Sequence, residues 1–377
     1  MKDFRCDGSY KNDLKDYSEN ILEEYGVSAK SSEREIICMS DEGNVVATKL
    51  YADLVYYKKI LRKHPYRDAF NLYLKSAGIT IEDGEWKFSD RAYPLAFWNI
   101  GYILVNYKRE SYLKYVEKID VIENMTLSER LSIALELAVS TLEYESVAGA
   151  INLVGRILKE VSEDEKLFAE VQPVIQKKIA NLVIPEIKEK IEDCETQEQC
   201  AKASDTFFVA AAQSGYVFAC NSLAAREADK IVDLYNQMSD FAKAVKKGDE
   251  EKLESMHVDN DLKNQIDKCI IDYICYLKIA ADRYESYAAN RLGLFYITGE
   301  IKGSNGTAAL KGYIDPSLAK EYFEKATVYP DENSAWGYLN LMKYFPKTYE
   351  KDIDLMNEHM DYIKALNPAV YSIAMDL

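Results

Sequence analysis

The chain is poor in several things at once, and each shortage excludes something. Glycine and proline are sparse, at 16 and 8 in 377 residues, which argues against a turn-rich β fold and for helices. The three histidines, His64, His257 and His359, stand in no HExxH, HxH or Cys–His pattern, so no metal site is expected. There is no CxxC, no GxxxxGK[ST] phosphate loop, no GxGxxG and no GxSxG elbow, so no cofactor and no catalytic set is expected. The longest apolar run, "PLAFWNIGYILV" from Pro94 to Val105, falls short of the roughly 20 residues a membrane helix needs. The opening "MKDFRCDGSYKNDLKDYSEN" has no apolar core, so no secretory leader is expected. Positive charge is also in deficit, and the net charge is −16. Such a surface repels phosphate backbones and anionic lipid, which excludes nucleic acid and membrane as expected partners. The seven cysteines are odd in number and scattered; they read as reduced thiols of a cytoplasmic protein.

What is present is a folded, helix-rich composition, 48% hydrophobic, on a chain too long for most single compact cores. Self-similarity organises it. "AANRLGLFYITGE" (288–300) has Ala288 and Gly293 five apart, with Leu292 before the glycine. The same frame holds Ala96, Ile100 and Gly101; Ala219, Leu223 and Ala224; Ala47, Tyr51 and Ala52; and, more loosely, Ala335, Leu339 and Asn340. A second pattern accompanies it. Ala319, Tyr322, Phe323 and Ala326 share one helical face in "DPSLAKEYFEKAT", and so do Ala69, Leu72, Tyr73 and Ser76, and Ala203, Thr206, Phe207 and Ala210. "DYICYLKIAA" ends in the same way, with Tyr276, Leu277 and Ala280. The unit implied is a helical hairpin: an A helix with paired small residues and a B helix with an Ala–aromatic–Ala face. One hairpin cannot bury its own apolar face; stacked neighbours can. Glycine inside a helix costs about 1 kcal/mol against alanine, and close helix contact is the expected return. Asp315-Pro316 marks a helix start.

"ANRLGLFYITGE … DPSLAKEYFEKA" resembles the Sel-one-like repeat (SLR), a relative of the tetratricopeptide repeat. Residues 288–326 carry most of that pattern, 44–78, 92–107 and 203–228 carry it less fully, and 125–195 matches poorly although it still reads as helices. The resemblance implies an all-α, right-handed α-solenoid whose relatives serve mainly as adaptors and scaffolds. Some secreted relatives carry a disulfide in each repeat; Cys194/Cys200 and Cys269/Cys275 do not recur at one repeat position, which speaks against that subtype here. The expected organisation is N-terminal capping helices over 1–42, SLR-like repeats over 43–124, an irregular helical segment over 125–195, further repeats over 196–346, and a C-terminal capping helix and tail over 347–377.

Two insertions depart from the pattern. "ITIEDGEWKFSD" alternates Ile79, Ile81, Trp86 and Phe88 around Asp83-Gly84, which predicts a small β-hairpin over 79–88. It is either a surface insertion or a partner contact. "IKGSNGTAALKGYI" (301–314) reads as a long loop. Residues 12–26 and the stripe Tyr349, Ile353, Met356, Met360 and Ile363 read as amphipathic caps, apolar inside and polar outside.

The function expected is non-catalytic protein or peptide binding on a concave surface lined by A helices, near Trp98, Tyr102, Asn221 and Arg291. A second reading is a regulatory protein that senses a small anionic ligand or peptide at the basic cluster "YYKKILRKHPYR", with Lys58, Lys59, Arg62, Lys63, His64 and Arg67; solvated cations near a helix end would account for the same residues. A third is a hydrolase using a thiol among Cys38, Cys220 and Cys275, each in an apolar context that suits a small buried side chain. The partner and the oligomeric state are not legible in the sequence.

Overall fold

The structure, a computed structural model, describes residues 31–56, 60–82, 84–89, 92–108, 117–144, 147–179, 194–247, 262–328 and 333–375. Among these residues are seventeen α-helices and two short strand pairs, so the molecule is mostly helical. They fall into two compact units that divide between Tyr216 and Val217.

In the first unit, α1 (Glu33–Asp41) opens on a capping box between Ser32 and Glu35. It packs on α2 (Val45–Tyr56), which is buried without interruption from Val46 to Val55. α3 (Pro65–Ser76) lies along α2. The predicted hairpin follows as β1 (Ile79–Glu82) and β2 (Glu85–Phe88), with Ile79 opposite Phe88 and Ile81 opposite Trp86. Gly84 sits at φ +82°, the left-handed conformation that a two-residue hairpin turn requires. A 3₁₀ turn over Pro94–Ala96 leads into α4 (Phe97–Asn106). Then come α5 (Asp120–Glu123), α6 (Leu127–Tyr144), α7 (Ala148–Glu163), α8 (Glu165–Ile179) and α9 (Gln197–Gln213).

Gly101 does what a small residue in its frame is expected to do. A β-carbon there would stand 3.1 Å from the Ala134 carbonyl oxygen and 3.0 Å from Leu153 Cδ2, so α4 and α6 meet backbone to backbone. The end of α4 is held by Arg130, whose guanidinium donates to the carbonyls of Leu104 and Tyr107 at 3.0 and 2.6 Å; two terminal carbonyls that the helix leaves open are thereby satisfied.

Within 125–195, α7 carries a match that sequence reading did not pick out. α7 carries Ala150, Asn152, Val154 and Gly155 in the frame of Ala288, Asn290, Leu292 and Gly293. It packs on α9, the helix with Ala203, Phe207 and Ala210. A β-carbon at Gly155 would stand 3.1 Å from Phe207 Cβ and 3.3 Å from the Ser204 carbonyl oxygen, and Ser204 Oγ donates to the Gly155 carbonyl at 2.8 Å. The two helices pack as the A and B helices of one hairpin are expected to, but α8 comes between them in the chain.

In the second unit, α10 (Val217–Lys247) and α11 (Leu262–Asp282) pack along one another, followed by α12 (Ser286–Thr298), α13 (Pro316–Ala326) and α14 (Ser334–Tyr344). From α11 to α14 each helix touches the next and the next but one. Gly293 on α12 lies beneath the ring of Phe323 on α13; a β-carbon would stand 2.5 Å from Phe323 Cδ1. Gly299 closes α12 at φ +66°. Asp315 caps α13 by accepting from the amides of Ser317 and Leu318 at 3.0 and 3.1 Å, with Pro316 at the first helical position. The hydrogen bonds from Ser317 and then Leu318 hold its carboxyl below the ordinary range.

The stretch expected as a long loop forms a second hairpin, β3 (Glu300–Gly303) with β4 (Gly306–Ala309). It docks on α10. The Ser304 amide donates to Asp229 Oδ1 at 2.6 Å and Asn305 Nδ2 to Asp233 Oδ1 at 3.3 Å. Lysine, glycine and alanine are poor strand formers, so propensity hides these strands.

The C-terminal cap also differs from expectation. Its stripe does not run along one helix: α15 (Pro346–Tyr349) stops, and Asp352 caps a fresh start at α16 (Ile353–Leu366) by accepting from the Leu355 amide at 3.0 Å. Tyr349 and Ile363 are buried, but Ile353 is 62% exposed. The expected tail holds α17 (Pro368–Ala374), capped by Asn367. The expected N-terminal cap at 12–26 lies outside the described residues.

His359 on α16 sits between the rings of Tyr338 and Tyr349, with centroids 4.6 and 5.3 Å away. Burial holds its imidazole below the ordinary value, against a weaker opposing pull from Glu358. As pH falls through the ordinary value of about 6.5, the unfolded chain therefore binds the proton first and the packed state loses stability. The loss accrues between that value and the lowered folded one; above it the group contributes no pH dependence. Thermal melts at about pH 7.5 and 5.5 should show a smaller acid-induced drop in His359→Gln than in the unaltered chain. Equal drops would contradict this assignment.

Candidate functional site

The residues singled out in the sequence fall into different settings. Lys58 and Lys59 lie outside the described residues. Of the rest of the basic cluster, Arg62 is hydrogen-bonded to the Tyr51 hydroxyl and lies 5.6 Å from the centre of its ring. His64 Nδ1 is 3.7 Å from Glu117 and Arg67 Nε is 3.6 Å from Asp68. Lys63 is exposed. Most of the described cations are thus already engaged with groups of the chain itself.

Trp98 is 6% exposed, and its indole covers Gly149, whose β-carbon would stand 3.0 Å from Trp98 Cζ3. It fills the contact between α4 and α7. Tyr102 is half-buried beneath the Arg156 guanidinium, 5.6 Å from its ring centre. Arg156 in turn donates to Asn106 Oδ1 at 2.7 Å. The small-residue positions Ala47, Ala52, Ala96, Gly101, Ala219, Ala224, Ala288, Gly293, Ala319 and Ala326 are all buried.

Asn221 and Arg291 lie in the second unit, where a regular feature emerges. Asn221 Nδ2, on α10, donates to Glu285 Oε2 at 3.2 Å, and Glu285 is the N-cap of α12. The same carboxylate oxygen accepts from the Ala288 amide at 2.7 Å. Asn290, at the matching place on α12, donates through Nδ2 to the carbonyl of Asn333 at 2.7 Å, and Asn333 is the N-cap of α14. Asn221 thus ties α10 to the N-terminus of α12, and Asn290 ties α12 to the N-terminus of α14. Sequence reading noticed Asn221 but not the column; Ala150-x-Asn152, Ala219-x-Asn221 and Ala288-x-Asn290 share the spacing that would have revealed it. At the matching place in α2 stands Lys49, whose Nζ is 2.8 Å from Asp53 Oδ2. Asp53 Oδ1 accepts from the Tyr73 hydroxyl at 2.6 Å. The Lys49 and Asp53 side chains are both fully buried.

Arg291 is half-buried and clasped. Its guanidinium lies 5.7 Å from the ring centres of both Tyr273 and Tyr287. It donates to the Tyr287 hydroxyl at 3.0 Å and to the Lys302 carbonyl at 3.1 Å, which joins α12 to β3. Tyr287 itself is 39% exposed. The residue in its frame on α10, one before Ala219, is Phe218, 43% exposed. Leu294, one helical face along from Tyr287 and Arg291, is also exposed. α10 and α12 therefore each expose an aromatic one residue before a buried alanine, and the Arg291 guanidinium lies beside the one on α12. Sequence reading passed over Phe218 and Tyr287, because a tyrosine or phenylalanine in a helix reads equally well as core.

Among the thiols, burial pushes Cys220 up to about 12 and Cys269 up to about 11, where a hydrogen bond donated by the thiol to Glu227 adds to the effect. Both stay protonated at neutral pH, the unreactive form. Among the described residues no group of three or more His, Cys, Asp or Glu is placed to hold a metal ion, and no helix is long and apolar enough to cross a membrane. Comparison of the chain with protein-family models, with curated proteins and with solved structures returns no match.

Proposed function

We propose that the chain is a non-catalytic, cytoplasmic scaffold of the Sel-one-like repeat kind, a right-handed solenoid that binds a protein or peptide across the outward face of its A helices. The observation that carries this reading is the pair Phe218 and Tyr287, equivalent in the frame of successive A helices and both exposed. Aromatic side chains with rigid neighbours are the anchors that dominate binding surfaces. The asparagine ties from α10 to α12 and from α12 to α14, and the contact of each helix from α11 to α14 with the next but one, support stacking of hairpins.

The test is site-specific photo-crosslinking. A photoreactive phenylalanine analogue at position 218 or 287 should join the chain to one partner of defined mass in the native cell. The analogue at exposed Ile271 on α11 should not. The double variant Phe218→Ala/Tyr287→Ala should lose the partner yet keep its stability to within about 1 kcal/mol, as exposed substitutions do. The same adducts from all three positions, or none, would defeat the proposal.

A further inference from the structure

Cys194 and Cys200 flank the start of α9, and the binding proposed above does not use them. Thr196 is the N-cap of this helix. Its Oγ1 accepts from the Gln199 amide at 3.2 Å, and Gln199 Oε1 accepts from the amides of Thr196 and Glu195 at 3.1 and 2.8 Å. This reciprocal box folds the chain back across the first helical turn. It sets Cys194, two residues before the cap, against Cys200, the fourth residue of the helix. Cys200 Sγ lies 3.8 Å from the Cys194 carbonyl oxygen and in hydrogen-bond contact with the Cys194 thiol. Both cysteines are in the reduced form and buried. A hydrophobic staple pairs the residue just before the cap with the fourth of the helix; here two sulfurs meet one position further out. Their cover is thin, because Glu195, Thr196 and Glu198 between them are exposed. Local opening of one helical turn uncovers both.

We infer that Cys194 and Cys200 form a redox-convertible pair that closes into a disulfide across the first turn of α9 when the chain meets a low-molecular-weight disulfide. One cysteine loses its proton and attacks a sulfur of oxidised glutathione. A mixed disulfide forms and one glutathione thiolate leaves. The second cysteine, deprotonated in turn, attacks the protein sulfur of that mixed disulfide and displaces the second glutathione thiolate. The two protons end on the two glutathiones, so the protein pair loses two electrons and the glutathione disulfide gains them. The hydrogen bond to Cys194 and burial both push the Cys200 thiol up, so the closed turn is unreactive and exchange proceeds through its opening. The bridge then ties the cap to the helix and prevents that opening.

The experiment equilibrates the full chain, native, in glutathione buffers of graded ratio, followed by acid quench, alkylation and trypsin. Ile191–Lys202 is one tryptic peptide holding both cysteines. In oxidising buffers it should carry no alkyl group and be about 2 Da lighter than the reduced peptide. The native chain should reach half-conversion at a buffer about tenfold more reducing than the urea-unfolded chain needs, a difference set by the apposition. Thr196→Ala, which removes the hydroxyl acceptor of the box and keeps both thiols, should move the native midpoint toward the unfolded one. Two alkyl groups on the peptide at every native ratio would overturn the inference. So would glutathione adducts in place of the bridge, equal midpoints for native and unfolded chains, or an unmoved midpoint in Thr196→Ala.

Discussion

Asp53→Ala is expected to cost the protein about 3–5 kcal/mol, the largest effect of any single substitution considered for the first unit. An i,i+4 ion pair on a solvated helix is worth only about 0.3–0.5 kcal/mol. Lys49 and Asp53 have that spacing, but both side chains are fully buried, with Nζ 2.8 Å from Oδ2. The variant leaves an ammonium in a low-dielectric interior without this carboxylate and takes from the Tyr73 hydroxyl its bond to Oδ1. The loss is dominated by that desolvated charge, so removing both charges should behave differently. Lys49→Met/Asp53→Leu, similar in volume and apolar, should recover most of the stability. Urea denaturation curves decide it. An Asp53→Ala midpoint near that of the unaltered chain, or a double variant as weak as the single, would show that the pair is not the determinant.

Gly293→Leu is expected to destabilise the second unit by about 1–3 kcal/mol through overpacking. Two effects compete. Leaving glycine gains about 1 kcal/mol of helix propensity. Against it, a β-carbon would stand 2.5 Å from two atoms of the Phe323 ring, which is itself fully buried and cannot swing into solvent. The clash wins, and Gly293→Ala should be unfavourable as well, though by less. Phe323→Leu placed on Gly293→Leu should recover part of the loss by yielding the space. Gly155→Leu should behave alike in the first unit, because there the Ser204 carbonyl is 3.3 Å away and backbone cannot move aside cheaply. Thermal melts of the four variants test this; a melting temperature of Gly293→Leu at or above that of the unaltered chain would remove the close contact from the account.

The contact of α12 with α13 was legible because the two helices follow one another in sequence. Gly293 and Phe323 fall in adjacent matching segments, and their spacing announced the contact. Gly155 and Phe207 make a comparable one, but α8 and the residues after it separate them, and no local pattern says which distant helix will be the neighbour. The candidate face was less legible still. Trp98 and Tyr102, expected on a concave binding surface, are buried and half-buried, whereas Phe218 and Tyr287, which no sequence pattern singled out, are exposed. Aromatic residues serve both roles, and only packing assigns them.

By itself the sequence determined what depends on neighbours a few residues apart: the Asp315-Pro316 helix start, the β1–β2 hairpin around Gly84, and the buried small-residue faces of the helices. Those features rest on hydrogen bonds and periodicity that local chain geometry sets. Only the tertiary structure decided the asparagine ties from Asn221 to Glu285 and from Asn290 to Asn333, the docking of β3–β4 on Asp229 and Asp233, and the burial of the Lys49–Asp53 pair. Each of these depends on which elements come together across long stretches of chain. The strength of each depends on how far its surroundings exclude water, from the fully buried Lys49–Asp53 pair to the exposed contacts at Asp229 and Asp233, and that is a property of the packed neighbourhood.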